Sequence, residues 1–205
     1  MHRAVNGTKH LLAATLIAAI GIVWLAGCQP KPANESKSEE TTQATPASQS
    51  EMVERGKYLV NVLACGDCHT PSTLGAEGRK PDTNRLLSGH PSDVKVTPPK
   101  LDGQNWSVMV SSTGTAFAGP WGVAFAANLT PDEETGIGIW DEQMFINAMR
   151  TGKQWGQGRI LAPIMPWQNY QNLTDDDLKS IFAYLKSLPP VKNEVPSLIP
   201  PEGAQ

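Results

Sequence analysis

Cysteine is scarce in this 205-residue chain: there are three, at positions 28, 65 and 68. So few thiols exclude a disulfide framework. Histidine is nearly as sparse. Of the four, His2 and His10 fall in the first ten residues and His90 stands alone, so no second pair exists to complete a four-ligand zinc site with Cys65 and Cys68. No run of Lys or Arg occurs, and the formal net charge is −3, which argues against nucleic acid as a partner. The longest apolar run, LLAATLIAAIGIVWLA, has 16 residues. That is short of the roughly 20 needed for a helix to span a bilayer. What remains is the composition of a soluble globular protein, 40% hydrophobic and 18% charged, with room for one ordinary domain or two small ones. With 18 Gly and 17 Pro, irregular backbone is expected to be plentiful.

The apolar run follows MHRAVNGTKH, which carries Arg3 and Lys9, so residues 1–27 have the charged and apolar regions of an export signal. The run stops at LAGC, Leu25 to Cys28, which resembles the lipobox of bacterial lipoproteins, where the cysteine becomes the acylated first residue of the mature chain. The alternative is a plain signal anchor or signal sequence with an incidental Cys28. Either way the domain is expected on the exported, periplasmic side of a membrane. Residues 29–50 contain no large apolar side chain and are expected, with Cys28, to form a disordered tether. Such a flexible stretch spans roughly 25 Å on average. Removing Arg3 and Lys9 leaves 15 basic against 20 acidic residues after Cys28, a charge of −5.

Residues 63–70 read LACGDCHT. Two thiols three apart with an imidazole directly behind suit half a zinc site, a reversible dithiol or covalent haem attachment. The zinc reading lacks ligands, and a redox dithiol belongs after a strand in a βαβ pattern, which is absent here. Haem attachment needs only what is present: Cys65 and Cys68 to form thioethers and His69 to ligate the iron. The motif occurs once, so one haem is expected.

The spacing predicts a helix over EMVERGKYLVNVLACGDCH, with Val53, Leu59, Val62 and Leu63 on its apolar side and Gly56 placed where a second helix can approach. A second helix is predicted from the cap Asp141 to Gly152, with Met144, Phe145, Ala148 and Met149 as its apolar face. A third runs from the cap Thr174 to Pro189-Pro190 with Leu178, Ile181, Phe182 and Leu185 as its stripe; Leu173 and Leu178 have hydrophobic-staple spacing. The expected fold class is all-α. Candidates for the sixth ligand are Met52, Met109, Met144, Met149, Met165 and His90. Met144 and Met149 read as core filling, and His90 as a surface-loop residue. Met165, between Pro163 and Pro166, is the preferred ligand because a stiff loop can hold a weak donor in place.

Four stretches in this order, RGKYLVNVLACGDCHT, ANLTPDEETGIGIWDEQMFINAMRTG, APIMPW and LTDDDLKSIFAYLKSLPPV, carry a resemblance covering residues 51–191. They resemble class I c-type cytochromes, and among these the cytochrome domains of membrane-bound alcohol and gluconate dehydrogenase complexes. The resemblance implies a cytochrome c-like fold with crossed terminal helices, one haem c, His69 and Met165 as axial ligands to its iron, and residues 128–138 along the haem edge. Residues 192–205 are then a Pro-rich tail. Asn128, Thr130 and the indole N–H of Trp167 are candidate donors to a haem propionate, although N-L-T-P-D also reads as a turn. Arg150 is a candidate counter-charge, or simply a last-turn cation. Two departures stand out. The dehydrogenase subunits commonly carry three such domains, and about 58 residues separate His69 from Asn128, a long loop insertion in which Trp106, Phe117 and Trp121 are candidate shields for the porphyrin. The expected function is electron transfer between redox partners such as a dehydrogenase, an oxidase or a quinol-oxidising complex. The alternatives are a dedicated subunit of such a complex, and a haem enzyme or gas sensor with a labile sixth ligand.

Overall fold

The structure is a computed structural model that describes residues 47–203. The expected leader, the lipidation site Cys28 and the tether up to residue 46 lie outside the described residues. Helix α1 (Gln49–Val62) begins inside the stretch expected to be tether. A capping box explains its early start: the Ser48 hydroxyl accepts from the Glu51 N–H while the Glu51 carboxylate accepts from the Ser48 N–H at 2.7 Å. Polar composition concealed this reciprocal pair. The buried stripe of α1 is Gly56, Leu59 and Val60, with Leu63 just beyond its end packed against the core. Val62, expected inside, is 56% exposed because it falls off the i, i+3, i+4 row that starts at Gly56.

The predicted continuous helix into the histidine is broken. Ala64 adopts φ 57°, ψ 31°, a left-handed conformation that an L-residue with a Cβ adopts at some strain. The chain turns there and starts α2 (Cys65–His69). Helix α3 (Glu142–Thr151) is capped by Asp141, which accepts from the Met144 N–H at 2.7 Å, and stops at Gly152 with φ 66°. After the single turn α4 (Trp167–Tyr170), helix α5 (Asp175–Ser187) starts from the Thr174 cap. The crossing of α1 and α5 rests on Gly56, where an added Cβ would lie 1.8 Å from the Ser180 carbonyl oxygen. Leu59 and Val60 of α1, Phe145 and Met149 of α3, and Leu178, Ile181 and Leu185 of α5 form the main core.

The expected all-α class holds for this helical core but not for the insertion. Strands β1 (Ser72–Gly75) and β2 (Gly78–Pro81) form an antiparallel hairpin. Strands β3 (Met109–Val110), β4 (Ala116–Gly119) and β5 (Gly122–Phe125) form a three-stranded antiparallel sheet in that order. The two hairpin turns share a pattern, G-x-x-G, whose second glycine has positive φ (99° at Gly78, 91° at Gly122). The strands between are only two to four residues long, too short for alternation to stand out in the sequence. The expected tail is also docked. Ile199 pairs with Val123 through two backbone hydrogen bonds of 2.8 and 3.0 Å, and Asn193 is buried, donating to the Ser88 and His90 carbonyls. The folded unit therefore extends past residue 191. No helix among the described residues is long and apolar enough to cross a membrane.

Candidate functional site

Because α2 is helical, Cys65, Cys68 and His69 fall at i, i+3 and i+4 and share one face, while Asp67 is exposed on the other. That face forms a wall of an apolar cavity with ≈ 1050 Å³ of empty space, its open mouth included. Both thiols are free. Burial pushes the Cys65 thiol up to about 11, with the neighbouring Cys68 and Asp67 adding to the shift. The Cys68 thiol is also raised by burial, against the opposing influence of the Arg79 guanidinium. Both shifts run opposite to the lowered thiol pKa of a redox dithiol.

His69 is oriented by one bond. Its Nδ1–H donates to the Ala127 carbonyl at 2.8 Å, which fixes the neutral tautomer and leaves the Nε2 lone pair free of any hydrogen bond among the described residues. Burial lowers the imidazole pKa, and the Ala127 bond opposes this only in part. The result is a neutral nitrogen donor on an apolar wall. Two methionines also line the cavity, Met165 from the loop before α4 and Met149 from α3. The other candidates do not: Met144 is exposed on α3, and Met109 lies at the separate β-sheet, where it is 40% exposed.

His90 departs furthest from expectation. It is 0% exposed, not a surface residue. Its Nε2–H donates to the Val94 carbonyl at 3.1 Å, its Nδ1 lies 2.9 Å from the Thr115 hydroxyl, and its ring packs on Phe125. Both nitrogens are engaged in the insertion's own scaffold, and burial lowers its pKa.

Asn128 and Thr130, the expected propionate donors, are buried and engaged elsewhere. Neither lines the cavity. Asn128 donates to the Val191 carbonyl at 2.8 Å and to the Thr135 hydroxyl, and accepts from the Thr130 N–H and hydroxyl. Their hydrogen-bonding capacity is spent on fastening the chain after α5 to the irregular segment after β5 that carries Ala127. Trp167 is likewise outside the lining; its ring lies over Gly152, where a Cβ would come within 2.2 Å. Arg150 pairs with Asp175 at 2.6 Å and donates to the Gln171 carbonyl. Of the three expected aromatic shields, Phe117 lines the cavity, whereas Trp106 is 66% exposed and Trp121 donates its indole N–H to the Phe117 carbonyl. Sequence reasoning missed Arg159, the single basic residue in the lining besides His69, and Tyr170, whose hydroxyl donates to the Leu63 carbonyl at 2.9 Å. Their positions within a few residues of Met165 were the available signal.

A family model for cytochrome c matches residues 53–189. The chain belongs to the cytochrome c family. Among curated relatives, this cytochrome is 31% identical over 147 residues to the fructose dehydrogenase cytochrome subunit of Gluconobacter japonicus, a match covering 71% of this chain and 23% of that protein. It is 28% identical over 133 residues to the gluconate 2-dehydrogenase cytochrome c subunit of Pantoea cypripedii, covering 65% and 22% respectively. It is 26% identical over 150 residues to the cytochrome c subunit of the quinone-dependent alcohol dehydrogenase of Gluconobacter oxydans, covering 72% and 24%. The chain thus spans less than a quarter of the length of each of these relatives. Family membership makes haem c with its iron the cofactor and electron transfer, not catalysis in its own right, the role. The residues fit that group: two thiols and an imidazole with a free Nε2 on one helical face, and thioethers in the same apolar cavity.

Proposed function

We propose that this cytochrome is an exported, lipid-tethered carrier of one electron, with a single haem joined to Cys65 and Cys68 and ligated axially by His69 and Met165. The observation that carries this reading is the convergence of those four side chains on one apolar cavity. When bound, the haem supplies reversible one-electron chemistry at its iron. The chain supplies the rest. Cys65 and Cys68 would hold the ring through two thioether bonds, and the Ala127 bond keeps Nε2 of His69 available as donor. Met165 is preferred over Met149 because Met149 is part of the α3 core stripe, whereas Met165 belongs to a proline-flanked loop. A thioether ligand and an apolar lining would both favour the less charged ferrous state. Arg159 stands in the lining as counter-charge for a propionate, the role first expected of Arg150.

A single C-x-x-C-H supports one haem, and LAGC at residues 25–28 supports a lipid anchor on the periplasmic side of a bacterial membrane. The relatives' names point to a dehydrogenase as electron donor, with an oxidase or a quinol-oxidising complex as other partners of the same kind. They also favour a second reading, a subunit held permanently in such a complex, which stable co-purification with a dehydrogenase would support. The decisive experiment is the visible spectrum of the purified holoprotein, oxidised and reduced, with and without carbon monoxide. A six-coordinate, low-spin spectrum unmoved by carbon monoxide is expected. A ferrous form that binds carbon monoxide readily would move a haem enzyme or gas sensor to first place.

A further inference from the structure

The segment that carries Met165 has little stability of its own. Its only helix, α4, is four residues long and begins at Pro166 without a side-chain cap, far below the length at which a helix holds itself together. The segment's position therefore depends on its fastenings. One flank is tied to the end of α3. There the Leu161 N–H donates to the Gly152 carbonyl at 2.8 Å, Trp167 covers Gly152, and Arg150 holds the Gln171 carbonyl and Asp175. The other flank faces the cysteine-bearing segment. Among the described residues, one side-chain hydrogen bond joins residues 161–173 to residues 49–70: Tyr170 Oη donating to the Leu63 carbonyl at 2.9 Å. Leu63 is the C-cap of α1, so its carbonyl has no helical partner, and the next residue is the strained Ala64 that turns the chain into Cys65.

We propose that the Tyr170 hydroxyl is a positioning group for Met165. It latches the methionine-bearing segment to the haem-attachment segment, so that the thioether stays in the cavity and closes the sixth position to outside ligands. The proposal rests on the reading of Met165 as axial ligand and adds what holds it there. Tyr170 lines the same cavity, and burial pushes its phenol up to about 12, so the hydroxyl remains a donor throughout the neutral range.

The test uses the full-chain holoprotein, in wild type, Tyr170→Phe and Ser48→Ala. Phe keeps the ring in the cavity wall and removes only the latch. Ser48→Ala removes the α1 capping box, far along the chain from the Met165 segment, and controls for general loosening. The reading is the rate at which carbon monoxide enters the ferrous protein, a step that waits for the methionine to leave. Losing one hydrogen bond raises the detached population by roughly 3- to 10-fold, so Tyr170→Phe is expected to bind carbon monoxide faster by that factor while Ser48→Ala keeps the wild-type rate. An unchanged rate in Tyr170→Phe overturns the latch while leaving Met165 as ligand. Equal acceleration in both variants also overturns it, since general loosening then accounts for the effect. Rapid binding by the wild type overturns the ligation itself, and the latch with it.

Discussion

The site's chemistry is set by what each side chain is left free to do. His69 spends Nδ1 on Ala127 and keeps Nε2; His90 spends both nitrogens and keeps nothing. On the proposed ligation the two thioethers in the cavity divide in the same way, Met165 as donor and Met149 as core. Replacing Met165 by Ala is expected to open the ferrous protein to carbon monoxide and lower its potential by at least about 59 mV, a tenfold change in a one-electron equilibrium. Met149→Leu is expected to leave both spectrum and potential unchanged; redox titration of the two variants checks this. His90 makes a separate, pH-dependent contribution to stability. Burial depresses its pKa below the ordinary 6.5, so the unfolded chain binds the proton more readily and stability falls as pH drops below that value. The only charge that favours protonation is Asp93, and it is outweighed by burial. Thermal melts at pH 7 and pH 5 are expected to show a larger drop in wild type than in His90→Gln, which lacks the titrating group. Cys65, Cys68, His69 and Met165, which line one cavity, stood out in the sequence because each belongs to a short local pattern. Arg159 and Tyr170 had only their nearness to Met165 as a signal, and the Tyr170 bond to Leu63 joins residues 107 apart, beyond any local pattern.

Among the elements, the helices with explicit stop and start signals matched expectation: Asp141 to Gly152, and Thr174 to the proline pair. The failures have specific causes. Ala64 breaks the first helix without a glycine or proline to announce it, and the capping box of Ser48 and Glu51 was masked by polar surroundings. The strands of the insertion are two to four residues long, too short for alternation to show, and β5 is held in addition by Ile199, a partner 76 residues beyond Val123. Gly56 was legible as a point of close approach, and the crossing of α1 and α5 depends on it. Gly56→Ala drives a methyl into the Ser180 carbonyl, a backbone atom with little room to move. The expected loss is about 1–3 kcal/mol from overpacking, measurable by denaturant unfolding of the holoprotein followed at the haem absorption.

At the scale of the whole molecule, the haem site and the proposed anchor use different parts of the chain. Every side chain assigned to the cavity lies between residues 60 and 185, and Cys28 is the sole residue on which lipid attachment is proposed. Under the proposed anchoring, the carrier samples a thin layer above the membrane, which raises its effective concentration toward partners held in the same membrane. The chain's negative balance after Cys28 limits simple electrostatic adhesion to anionic lipid, so in the proposed arrangement retention falls to the lipid on Cys28. Cys28→Ala is therefore expected to move the cytochrome from the membrane fraction to the soluble exported fraction, with its oxidised and reduced spectra unchanged. Fractionation followed by spectroscopy of each fraction measures both. Retention after a high-salt wash would mean that residues 1–27 stay as a signal anchor, whereas retention that salt removes would point to a dehydrogenase or other membrane partner holding the folded domain by its surface.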